Sequence, residues 1–426
     1  AGAAAPAAPP CAWRGQQVPA DVLSPGALPF YDAAAMFRLA AASRQQWFAL
    51  RQLKDLSIAL KRRSLPPRSA AALARSIAAR HGLRTLEADL SFTALGGEGL
   101  ACLARAVGEL AGLLVRLELT FCGCGVTASG MCALAQELGG LRRLSRLKLD
   151  LSFNDIGDEG LRGLAQALAS APAELRSLDL ALNRCRVGDA GMGWLAQAVA
   201  AVVGLTDVQL SLYDNRVGEV GVHELALAVR NLRAPTRLVF GLNRNHLSEA
   251  GVQDLAHATG GHAALRELEL HFSICDVGWA GAHDLALSVG SARGLRSLVV
   301  DLNVNHIGAA GARLLAQSLG ALKSLERLRF LASGNRVRDA GAKELARVTG
   351  SLHGLVDLDM DVSGNGIGNG GAWDLARMVG CLSVLTRLSL DLRGNAIGDL
   401  GAHKLARAVG AMPRLRRLVL RLDGNH

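Results

Sequence analysis

The sequence predicts an α/β solenoid of about thirteen 30-residue units, with a parallel sheet on its concave face and helices on its convex face. Three observations carry this. A glycine recurs at steps of 30 or 31 residues from Gly99 to Gly401, an alternating leucine-rich run precedes it by a fixed distance, and a helix-like string follows it. A period of this length marks a stack in which no unit buries its own apolar face and neighbouring units supply the core.

The stretch from Leu385 to Gly410 displays the unit. Leu388, Leu390 and Leu392 alternate with Ser389 and Asp391, so the leucines point to one face of a strand and the polar residues to the other. Strands joined by a helical crossover must run parallel. An asparagine follows six residues before the glycine or its projected place, as at Asn154, Asn305, Asn335 and Asn395, and Thr93, Cys124, Cys185 and Cys275 take that slot elsewhere. An amide donates and accepts, so one buried at every turn predicts a ladder bonded to the neighbouring turn, with the small donors as structural substitutes. Asp158, Asp189, Asp339 and Asp399 stand two residues before the glycine, with Glu219 and Glu249 similar. They read as helix starts, where a carboxylate accepts first-turn amides and complements the helix dipole. Leu405, Ala406 and Val409 share one helix face, and Gly410, like Gly139, Gly260, Gly320 and Gly350, reads as a helix stop.

This unit resembles the ribonuclease-inhibitor-like class of leucine-rich repeat, whose pattern runs LxxLxL, Asn or Cys, apolar-Gly-Asp, then Gly-Ala-x-x-Leu-Ala. The resemblance covers roughly Leu53 to His426 and implies a horseshoe. Here an extra apolar-polar pair gives LxxLxLxLxxN, which predicts strands about two residues longer than the class has and a wider concave face.

Register continues over about 370 of the 426 residues, which predicts one solenoid at 53–426 in place of several domains. Residues 1–29, rich in alanine and proline, read as a low-complexity tail. Residues 30–52 read as a helical cap on the first repeat, with Asp32 capping a helix and Trp47 and Phe48 covering the edge. The string from Asp32 to Leu50 also resembles the second half of an F-box. At the other end Leu415, Leu418, Leu420 and Leu422 repeat the buried pattern with nothing after His426, so this C-terminal edge is expected to be frayed or covered by a neighbouring protein. No run of 18 apolar residues lacks charge, so no membrane span is predicted. The eight cysteines follow the turn ladder and the helices and form no disulfide framework, which points to an intracellular, reducing compartment. Cys122 and Cys124 form a CxC pair with no second pair at zinc-like spacing.

A net charge of +10 invites a nucleic-acid partner, but the distribution of charge argues against one. At the two outward positions of the strands stand Glu87, Asp89, Glu118, Asp150, Asp179, Glu269, Asp301, Asp359, Asp361 and Asp391, against Lys148, Arg329 and Arg421. Arg116, Arg146, Arg237, Arg327, Arg387 and Arg417 stack at the strand entrances. Adjacent stripes of opposite sign predict pairing along the sheet. His271 is placed on the same floor beside Glu269 and Asp301, and Tyr213 at the strand end; Trp194, Trp279 and Trp373 fall at helix starts. The acids named above, with His271 and Tyr213, are the candidate partner-binding residues of the concave face.

No Walker loop, GxSxG, HExxH or regular metal spacing occurs. Catalytic, cofactor and metal sites are therefore not expected. The predicted function is a non-enzymatic protein-interaction scaffold, alone or as a structural subunit of a larger assembly, binding through the concave face or the C-terminal edge. Two alternatives follow from resemblance alone: an F-box-like substrate receptor of a ubiquitin ligase, and a GTPase activator of the Ran-activating type.

Overall fold

The computed structural model describes residues 53–62, 65–170 and 174–425. The tail and helical cap expected at 1–52 lie outside the described residues, as does His426. One sheet runs from β1 (Asp55–Ala59) to β13 (Arg417–Arg421), with every strand parallel to the next in chain order. The described helices run from α1 (Pro67–Ala78) to α12 (Asp399–Gly410), one between each pair of successive strands. The sheet lines the concave side and the helices pack side by side on the convex side.

Leucine at the second and fourth strand positions sets the register. Leu358 lies opposite Leu328 and Leu388, and Met360 opposite Phe330 and Leu390. All of these are buried, while the first, third and fifth positions face outward. Each fully buried leucine contributes about 1.5–3 kcal/mol, and α11 (Asn369–Cys381) closes the core with Leu375, Ala376 and Val379. The extra apolar-polar pair extends the pairing beyond the five-residue strands. The Leu392 amide donates to Arg421 O at 2.9 Å and the Gly394 amide to Asp423 O at 2.9 Å.

The turn ladder joins each repeat to the one before it. Asn305, fully buried, donates from Nδ2 to Phe272 O at 2.8 Å, and its Oδ1 accepts the Cys275 and Val277 amides at 3.0 and 3.2 Å. Asn154, Asn215, Asn365 and Asn395 repeat the pattern. Thr93 and Cys124 supply only the donor half, to Leu60 O and Leu90 O at 2.9 Å each. Burial pushes the Cys185 thiol up to about 12 and that of Cys275 to about 11, so both remain neutral donors and poor nucleophiles.

Two readings of the helix ends need correction. The acid two residues before the glycine is expected to cap its own helix; at Asp189 and Asp339 it caps the helix of the next repeat instead. Asp189 opens α5 (Asp189–Ala201), and its Oδ1 accepts the Gly218 and Gly221 amides at 2.6 and 3.0 Å, at the start of α6 (Glu219–Arg230). Asp339 treats Gly368 and Gly371 in the same way, at 2.6 and 3.1 Å. Crowding at the helix start accounts for the recurring glycine: a Cβ at Gly371 would lie 2.6 Å from Ile367 Cγ2 and 2.8 Å from Asp339 Oδ1, and one at Gly341 2.5 Å from Val337 Cγ1. The glycines at the helix ends are likewise not left-handed stops. Gly139, Gly320 and Gly350 have φ near −60°, and at Gly260 a Cβ would sit 2.5 Å from Ser288 O of the next helix. Close helix approach selects glycine there.

Truncating Asn305 to alanine should orphan two buried amides and a carbonyl, lowering stability by about 3 kcal/mol. An unchanged urea midpoint would show that water replaces the ladder at no cost. Val304, exposed at φ +55° in the same turn, should behave in the opposite way. Val304→Gly is expected to raise stability by about 1 kcal/mol by releasing left-handed strain, and a lowered midpoint would contradict it.

Candidate concave interface

The concave floor consists of the outward strand positions, and its charges pair along the sheet as the opposed stripes predict. Arg237 Nη1 lies 3.4 Å from Asp207, its Nε 3.2 Å from Glu267 and its Nη2 3.2 Å from Glu269. Arg116 reaches Glu118 at 2.6 Å and Glu87 at 3.8 Å, Lys148 reaches Asp179 at 3.1 Å, and Lys61 reaches Asp89 at 2.7 Å. Asp150 and Asp361 instead accept the amides of Ser152 and Ser363, each at 3.0 Å, in the turns that follow their strands.

Two of the expected binding acids are not open to a partner. Asp301 is buried: the Ser273 hydroxyl donates to it, and so does the Asn303 amide at 3.2 Å. Asp391 is buried beneath Arg393, whose Nε and Nη2 fork onto the carboxylate at 2.9 and 2.8 Å, with Arg421 at 3.5 Å. Alternation places both outward, but the turn after the strand folds back over them. Burial would raise the Asp391 carboxyl, and the Arg393 fork outweighs it and holds the group below the usual carboxylate range.

His271, at the end of β8 (Glu267–His271), faces Glu269 Oε2 from Nε2 and Asp301 Oδ2 from Nδ1, 3.7 Å each. Burial alone would lower its pKa, but the two carboxylates outweigh burial and raise it to about 9. An imidazolium between two carboxylates, with Arg237 on Glu269 and the Ser273 hydroxyl on Asp301, forms one ion and hydrogen-bond network.

Toward β13 the floor deepens into an open basin of ≈ 510 Å³. It spans β10 (Arg327–Leu331), β11 (Asp357–Asp361), β12 (Arg387–Asp391) and β13. Asp359, Asp361 and Asp391 of the predicted acids lie here. Its lining is of mixed sign, because Arg329, Arg387, Arg417 and Arg421 face the same space. Arg329 pairs with Asp359 at 3.0 Å and Arg387 with Asp357 at 2.8 Å. Asp357 and Arg393 were not among the predicted residues; the entrance position of Asp357, where arginine recurs in neighbouring units, was the available signal.

Tyr213 stands two residues past β6 (Asp207–Ser211), in the row of turns and away from the acids, with Arg184 and Arg244 5.9 and 5.7 Å from its ring centre. Trp279 and Trp373 are exposed on the helices, and Lys404 Nζ lies 5.1 Å from the Trp373 ring centre. Among the described residues every cysteine is a free thiol, and no group of three or more His, Cys, Asp or Glu is placed to hold a metal. No described helix is long and apolar enough to cross a membrane.

The Leucine Rich repeat family matches residues 147–165 and 388–406, each from the second residue of a strand into the following helix. These two units are leucine-rich repeats, and the other strand-helix units keep their register. The chain is 37% identical over 89 residues, 21% of its length, to the human NACHT, LRR and PYD domains-containing protein 5, of which the match spans 7%. A leucine-rich repeat protein of Leptospira interrogans aligns over 96% of this chain and 93% of its own, at 18% identity and a TM-score of 0.45. A chain of the yeast Rad7 and Elc1 complex aligns over 75% and 73%, at 17% identity and a TM-score of 0.44.

The repeat floor should carry a pH signature. A folded pKa of about 9 against an ordinary 6.5 for His271 gives stability that is complete below pH 6.5 and lost as pH rises to 9. Urea midpoints should therefore fall across that window, and His271→Gln should remove the His271 share of the slope. An identical slope in the variant would remove His271 as its source.

Proposed function

We propose that the chain is a non-enzymatic protein-interaction scaffold whose concave basin at β10–β13 docks a protein surface carrying charges of both signs. The basin's mixed lining supports this reading. Half-exposed ion pairs of this kind contribute about 0–1 kcal/mol each, so exchanging an internal partner for one on a docked protein costs little. Matched charges then fix register and speed encounter more than they add affinity. A curved sheet supplies the area that a stable complex needs, roughly 800 Å² per partner. The fold family is used for protein interaction generally, and the mixed lining narrows the partner from the basic one that the acids alone would suggest.

Cross-linking mass spectrometry on complexes captured by the full chain tests this. Cross-links should concentrate on β10–β13, and a double reversal, Asp359→Lys with Asp361→Lys, should weaken the purified partner at least tenfold. Cross-links confined to the helices, or unchanged affinity in that variant, would move the site elsewhere.

A further inference from the structure

The turns after the strands form a second row along one edge of the sheet, separate from the floor. In the described repeats the residue before the ladder position is left-handed, with φ between +53° and +70°. Glycine fills this place at Gly123, Gly334, Gly364, Gly394 and Gly424. Other repeats hold Phe92, Phe153, Arg184, Arg244, Ile274 and Val304 there, all exposed, with Arg62 and the half-buried Asp214 in the same place. A bulky L-residue in this region is strained, so these side chains are kept at a cost that glycine would avoid.

Some of them stack. Arg184 lies 5.6 Å from the Phe153 ring centre and 5.9 Å from that of Tyr213, and Arg244 lies 5.7 Å from Tyr213. Phe153, Arg184, Tyr213 and Arg244 thus form one continuous stack over four successive repeats. The stretch is also basic. Its carboxylates Asp155 and Asp214 already pair with Arg186 and Arg184, at 2.9 and 2.6 Å. Exposed Arg216 and Arg244 have no carboxylate in ion-pair reach among the described residues.

We propose that this stack binds an extended acidic segment of a partner protein. A guanidinium lying against a ring keeps its in-plane N–H donors free and its orientation set, which suits bidentate carboxylate recognition and reduces the ordering cost of binding. The Asp214 carboxylate on Arg184 Nε shows that the row already accepts one such group. Strands stack roughly 4.8 Å apart, so arginines two repeats apart are separated by roughly 10 Å. Three residues of extended chain cover about the same distance, so the fitting segment carries an acid at every third position. A nucleic-acid strand fits less well, because base stacking needs free ring faces and guanidinium groups flank the Tyr213 ring from the repeats on both sides.

The edge row is separate from the concave basin, so either site can fail alone. The test uses the full chain at low salt and fluorescence anisotropy with fluorescein-labelled (Glu-Thr-Val)4, and a dodecathymidylate in parallel. Saturable peptide binding is expected, at least tenfold weaker in the variant Arg216→Gln with Arg244→Gln. The control Arg313→Gln with Lys343→Gln, on exposed helix positions, should change it less than twofold. Circular dichroism melts confirm that both variants fold. Absent saturable binding, an equal loss in the control, or tighter binding of the thymidylate would each overturn the proposal.

Discussion

A side-chain amide that bonds backward to the preceding turn is the constraint on which this structure depends. Past each strand the chain must turn toward a helix, leaving amides and carbonyls that no sheet partner reaches. Water is excluded there, and unpaired groups would cost far more than a hydrogen bond returns. Asn365 shows the solution: Nδ2 donates to Ala332 O at 2.8 Å while Oδ1 accepts the Asn335 and Val337 amides at 3.0 Å each. Because each amide satisfies the repeat before it, no repeat is complete alone. Asp189 and Asp339 extend the same logic to the helices by capping the neighbour's first turn.

Function inherits this division of labour. The ladder and the leucine core hold the backbone, which leaves the outward strand positions free to carry charge without unfolding the chain. Those positions then pair among themselves, as Arg387 with Asp357 and Arg237 with Glu269. The floor therefore presents acids largely paired with the bases that share it, and not a bare acidic trough. The edge row differs in kind: Arg184 is held by two rings and by Asp214, while Arg244 lies against the Tyr213 ring with no carboxylate in ion-pair reach among the described residues, which keeps the Arg244 donors available for an outside acid.

Much of this was legible in the sequence. Period alone places Leu388 and Leu390 in the core and Asn305 in a buried turn, because a repeated polar residue at fixed register has to meet a repeated need. The hidden features are those set between repeats. An acid two residues before a glycine looks the same whether it caps its own helix or the next one, and only the stacking offset brings Asp189 to Gly218. Likewise Asp391 alternates outward in sequence, yet Arg393 lies two residues on, where a turn returns it over the carboxylate. The guanidinium-aromatic stack was hidden for the same reason, since Phe153, Arg184 and Tyr213 lie about 30 residues apart and meet only when their repeats stack.

Amide hydrogen exchange on the intact chain tests the central claim most directly. The amides of Val187, Val217, Val277, Val337 and Ile367 have as acceptor the side-chain oxygen of the next repeat's asparagine. If the ladder joins the repeats into one cooperative unit, these amides exchange as slowly as the sheet amides of Leu358 and Leu388, through global opening. Exchange at loop rates while the sheet stays protected would show that the ladder bonds open independently and do not hold the stack together.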